Sequence, residues 1–122
     1  MEHVAADRSA YHVTADLGGG RARGRDGVAW LGLSDGAAKL IAMANELAEA
    51  CPATITDGAP PKRTPSAHLT LVRRADAAVI GALRDQAHGP LRVEWTTDRL
   101  ALVRSHLEPV RVRYETLHWA TL

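Results

Sequence analysis

A chain of 122 residues, 46% hydrophobic and 24% charged, has the size and balance of one folded domain, which excludes a disordered tail and a fibrous repeat. Fifteen Lys and Arg against fourteen Asp and Glu leave a formal net charge of +1, too even to hold a nucleic-acid backbone by charge alone, so a nucleic-acid partner has to be gripped locally. Cys51 is the single cysteine, which excludes an internal disulfide or a cysteine zinc cluster and favours a reducing, cytoplasmic setting; no apolar stretch reaches membrane-span length, and a start containing Glu2, His3 and Asp7 is unlike a signal peptide.

Residues 1–9 are polar and without period and read as a ragged start. Over 11–17, Tyr11, Val13 and Ala15 alternate with His12, Thr14 and Asp16, the period of a half-buried strand, which Gly18-Gly19-Gly20 is expected to stop. A basic, glycine-rich stretch then leads into Val28-Ala29-Trp30-Leu31-Gly32-Leu33, a second strand, and the two are expected to form an antiparallel hairpin. Ala37, Leu40, Ile41, Ala44, Leu47, Ala48 and Cys51 recur every three or four positions and predict an amphipathic helix, with Ser34 or Asp35 as N-cap and Pro52 at its end. Residues 57–65, with Gly58, Pro60, Pro61 and Pro65, read as a surface loop.

A strand is predicted over 67–72, then a helix from about Asp76 to Gln86 with Val79, Ile80, Leu83 and Ala87 on its apolar face, closed by Gly89-Pro90. The remainder is strand-like over 91–95, 99–104 (Leu100 and Leu102 on one face) and 110–119. The order predicts an α+β fold, a largely antiparallel sheet with two helices packed on one face, as a single domain over 10–122.

The segment that carries chemistry is Pro65-Ser66-Ala67-His68-Leu69-Thr70-Leu71-Val72-Arg73-Arg74. Strand alternation sets His68, Thr70 and Val72 on one face and Ala67, Leu69 and Leu71 on the other, with the imidazole and the hydroxyl about 7 Å apart along the backbone. That spacing lets both touch one phosphate-sized group. A histidine moves protons near neutral pH, a threonine hydroxyl donates to a phosphoryl oxygen, and Arg73 offers a cationic fork to the same anion.

With Val28-Ala29-Trp30-Leu31-Gly32-Leu33 before it, and Leu100-Ala101-Leu102-Val103-Arg104-Ser105-His106-Leu107 and Tyr114-Glu115-Thr116-Leu117 after it, this segment resembles the two-histidine (2H) phosphoesterases, in particular the bacterial 2'-5' RNA ligase or RNA 2',3'-cyclic phosphodiesterase group. The resemblance covers about residues 10–122. It implies a bilobal fold, of which this chain has the C-terminal portion. It also implies general acid/base catalysis by two His-x-Thr motifs facing one groove, with no metal and no cofactor. Substrates would be RNA ends or small 2',3'-cyclic nucleotides, and ligation would be the same chemistry run backwards. His68 and Thr70 match the second motif, with Arg73 on the substrate phosphate.

For the first motif the chain offers His12-Val13-Thr14 as an alternative. The stretch around it is more similar to the family's intervening hairpin, on which His12 is a surface residue and the first motif is missing. Ser66-Ala67 stands where the family usually has Arg-Pro, so one basic contact is expected to be lost. His3, His88, His106 and His118 fit no metal spacing, and the glycine triplet lacks the helix and Lys of a phosphate-binding loop. Trp30, Trp95 and Trp119 are able to stack on a base, but aromatic residues in strands are more often core, and they are expected there. A missing lobe would leave apolar sheet exposed, so a homodimer is expected. The competing reading is a non-catalytic relative that binds RNA or phosphate, or serves as an oligomerising module.

Overall fold

The computed structural model of the chain describes residues 1–51, 66–86 and 91–122. Its elements run α1 (Glu2–Ala6), β1 (Tyr11–Arg21), β2 (Gly27–Asp35), α2 (Ala37–Ala50), β3 (His68–Ala75), α3 (Ala77–Asp85), β4 (Val93–Thr97), β5 (Arg99–Leu107) and β6 (Val112–Thr121). The class is α+β with largely antiparallel pairing, as the hydrophobic periods predict. The expected loop over 57–65, Pro52, Ala87, His88 and Gly89-Pro90 lie outside the described residues.

Two compact units divide these elements, one of residues 12–96 and one of residues 1–11 with 97–122. In the first, four strands lie in the order β3-β2-β1-β4, with β1/β2 and β2/β3 antiparallel. Ala29, Leu31 and Leu33 of β2 are buried on one face, where α3 closes a small core of Ala29, Ala75, Ile80 and Leu83. Asp76 caps α3 by accepting the Val79 N–H at 3.0 Å, and satisfies one of the orphan donors of the first turn.

The glycine triplet does not stop β1, which runs through it to Arg21. Gly18 and Gly20 pair with Leu31 and Ala29 and so face the core beneath α3. A Cβ on Gly18 would fall 1.6 Å from the Leu83 carbonyl oxygen, and one on Gly20 within 2.8 Å of the Ile80 side chain. The glycines let a helix sit directly on the strand, and Arg84 fastens the contact by donating to the Gly20 carbonyl at 2.6 Å. In sequence, this close approach and a turn leave the same glycines.

The N-cap of α2 is Gly36, not Ser34 or Asp35. Its φ of 80° is the left-handed conformation that glycine reaches without penalty, and a Cβ there would meet the His12 carbonyl oxygen at 2.6 Å. Asp35 is the last residue of β2 and spends its carboxylate elsewhere.

In the second unit β5 and β6 form an antiparallel hairpin, closed by the Glu108 N–H donating to the Arg111 carbonyl. Residues 2–6, expected to be irregular, form the short helix α1 because Val4 and Ala5 find cover against β6. Glu2 pairs with His118, and Arg99 lies over the Trp119 ring at 4.4 Å. Leu100 is buried while Leu102 is half exposed, so their shared face is covered only at its beginning. Among the described residues, no helix is long and apolar enough to cross a membrane.

Candidate functional site

The pairing of β2 with β3 decides which side chains share a face. His68 lies opposite Gly32, Leu69 opposite Leu31 and Thr70 opposite Trp30; then the register slips, and Val72 lies opposite Ala29 and Arg73 opposite Val28. Leu71 is the extra residue of a β-bulge. Unbroken alternation would send Arg73 to the face of Leu69, whereas the bulge returns it to the face of His68 and Thr70. The same bulge moves Val72, expected beside Thr70, to the face of Ala29.

A second slip follows at Arg74, the one described non-glycine residue with a positive φ, 58°. It turns Ala75 back into the core. Two bulges thus allow one strand to present His68, Thr70 and Arg73 outwards while its end still packs under α3.

These three residues line a cavity of about 440 Å³ together with Arg21, Val28, Trp30 and Ser66. His68 and Arg73 are exposed and Thr70 is partly so, as a group that meets a ligand has to be. The Trp30 and His68 rings pack at a centroid distance of 5.3 Å, tilted by 46°. Trp30 is therefore a wall of the cavity, not the core aromatic its strand context suggested. Its indole has room because Gly19 lies opposite: a Cβ there would stand 2.8 Å from the indole nitrogen. The lining residues carry two guanidinium groups and no carboxylate, a chemistry suited to an anion.

His12 and Thr14 do not line this cavity. The row joining His68 and Gly32 meets β1 at Leu17, and His12 lies roughly 15 Å further along that strand. There the His12 Nδ1 hydrogen-bonds the Asp35 carboxylate at 2.9 Å, and its Nε2 lies 3.9 Å from Glu94. Thr14 is buried.

The hydrogen bond from His12 is the main reason the Asp35 carboxyl is held below the ordinary carboxylate range. Glu94 is lowered likewise, first by its hydrogen bond from Arg92 at 2.5 Å and then by the charge of that guanidinium. This cluster ties β1, the end of β2 and β4 together.

Of the other histidines, His106 pairs with Glu115 at 2.8 Å and His118 with Glu2. Among the described residues no group of three or more His, Cys, Asp or Glu is placed to hold a metal ion. Arg21 is the cavity residue that sequence reasoning missed. Strict period two from Tyr11, Val13 and Ala15 would place it on their buried face; a register slip between Ala15 and Leu17 instead sets Leu17, Gly19 and Arg21 on the open face of Trp30.

The model of a family described as the 2'-5' RNA ligase superfamily matches residues 2–109. No curated protein matches the chain.

Proposed function

The chain belongs to the 2'-5' RNA ligase superfamily, and from that premise we propose that it opens 2',3'-cyclic phosphates at RNA ends or on small nucleotides, with His68 as a proton-transfer group. The observation that carries this reading is the convergence of His68, Thr70 and Arg73 on one open cavity. In ring opening, a water oxygen bonds to phosphorus, the bond from phosphorus to one ribose oxygen breaks, and the departing oxygen takes a proton. His68 either removes the proton from the water or supplies the one to the leaving oxygen. The Thr70 hydroxyl donates to a non-bridging oxygen, and the Arg73 fork offsets the charge that gathers there. An RNA 5'-hydroxyl in place of water gives the ligation direction. The family resemblance implies that no metal or nucleotide cofactor takes part.

One observation favours a second reading, a phosphate- or RNA-binding relative without turnover: His68 is the one histidine among the described residues lining the cavity. Two proton transfers are needed, and loss of one general acid or base costs about 10²–10⁴ in rate. Hydrolysis of cytidine 2',3'-cyclic phosphate by the chain and by its His68→Ala and Thr70→Ala variants separates the two. Turnover lost in His68→Ala and retained in His12→Ala supports the enzyme. Absence of turnover, with nucleoside 2'-phosphate still shifting the His68 resonances in the presence of a chelator, supports the binding module.

Self-association belongs to the same proposal. Val103 and Leu107 share a face of the β5/β6 hairpin with Tyr114 and Val112, and all four are exposed, an apolar row that soluble monomers seldom leave open. A homodimer is expected by sedimentation equilibrium, and a monomer at micromolar concentration would remove this part of the proposal.

A further inference from the structure

Arg21 closes β1 opposite Val28, and Val28 lies opposite Arg73, so the two arginines flank Val28 in one row across three strands. Their Cα atoms are about 10 Å apart, two strand spacings. Both line the cavity of His68 and Thr70. The adjoining rows run from Gly19 through Trp30 to Thr70 and from Leu17 through Gly32 to His68. One side of the cavity thus carries the imidazole, the hydroxyl and one guanidinium, and the other side carries a second guanidinium by itself.

The cations of the fold are not all disposed this way. Arg84 is committed to the Gly20 carbonyl, Arg92 to Glu94, Arg113 to Glu108 and Arg99 to the Trp119 ring. Neither Arg21 nor Arg73 makes an ion pair with a described carboxylate, and both are exposed beside the same cavity. Two like charges on one apolar floor gain most from a ligand that brings two negative groups. A single phosphate seated between His68, Thr70 and Arg73 leaves Arg21 unused across the Val28 and Trp30 side chains.

We propose that Arg21 is a specificity-determining residue of this cavity, holding the phosphodiester next to the cyclic phosphate, so that the site prefers RNA ends of two or more nucleotides over mononucleotides. The inference rests on the reading that His68, Thr70 and Arg73 take the cyclic phosphate. Arg21 comes from a different strand, and its reach, not its proximity to the reacting phosphorus, sets the preference.

The test compares cytidine 2',3'-cyclic phosphate with a cytidine dinucleotide ending in the same cyclic phosphate. The wild-type chain is expected to show the higher kcat/KM on the dinucleotide. In Arg21→Ala the ratio of the two kcat/KM values falls by about ten- to hundredfold, the worth of one charge-assisted hydrogen bond. Arg21→Lys restores part of it, which also checks that the strand end tolerates substitution. Arg73→Ala lowers both substrates together. An unchanged ratio in Arg21→Ala, or an equal loss on both substrates, overturns the inference while leaving the proposed function standing.

Binding of the 2'-phosphorylated mono- and dinucleotides, measured by calorimetry on the same variants, covers the case of no turnover. A dinucleotide preference that disappears in Arg21→Ala upholds the role of Arg21 even if the catalytic reading fails. Equal binding of the two ligands by the wild-type chain, or binding of neither, ends it.

Discussion

Trp30 of β2 and His68 of β3 lie ring against ring, 5.3 Å between centroids and tilted by 46°, on the open face of the sheet. The indole fills the space on one side of the imidazole, and both rings line the cavity. Trp30→Leu is expected to lower kcat/KM by about tenfold, less than the 10²–10⁴ expected for loss of His68 itself. The indole ring current is expected to displace the His68 ring-proton resonances in the wild-type chain, and Trp30→Leu is expected to reverse that displacement. Resonances unaffected by the substitution would show that Trp30 does not pack on the ring.

Gly18 marks the tightest contact between β1 and α3. Because its Cβ would lie 1.6 Å from the Leu83 carbonyl oxygen, a backbone atom that side-chain rotation cannot move, Gly18→Ala has to lift the helix from the strand. A loss of about 3 kcal/mol is expected in urea unfolding. At Gly81, where an added Cβ meets nothing within 4 Å, Ala is expected to stabilise α3 by about 1 kcal/mol.

Arg74 holds a φ of 58° in the second bulge of β3, a conformation that costs a non-glycine residue about 1 kcal/mol or more. Arg74→Gly is therefore expected to raise the unfolding midpoint, with the gain partly offset by the greater freedom of glycine in the unfolded chain. A lower midpoint would mean that the Arg74 side chain contributes more than its backbone strain costs.

The Asp35 carboxyl, held low chiefly by the His12 hydrogen bond, contributes stability that is present above the ordinary aspartate range and is lost as pH falls through its depressed folded-state value. His12→Ala removes the cause, so the Asp35 carbon resonance is expected to titrate at higher pH than in the wild-type chain. The difference in thermal midpoint between the two proteins then narrows as the solution is acidified. Both carboxylates that face His12 are exposed, so the effect on stability is small and the resonance is the sharper readout.

From β1 onwards the sequence by itself determined the order of strands and helices, because periods of two and of three to four follow from backbone geometry alone. It also put His68 and Thr70 on one face by strand alternation, which holds for this pair because the first bulge falls after Thr70, at Leu71. The side taken by Arg73 was decided by tertiary structure: a bulge is a relation between two paired strands, and nothing in Leu71 or Arg74 announces it. Arg21 was lost to sequence reasoning for a related reason. Gly18-Gly19-Gly20 reads as a chain reversal until α3 is seen resting on it, and only that packing turns a stop signal into a continuous strand that carries a cation to the cavity. Alternation is a local property that the chain carries everywhere, whereas register, bulges and close approach exist only between elements, and at this site they select which charges meet.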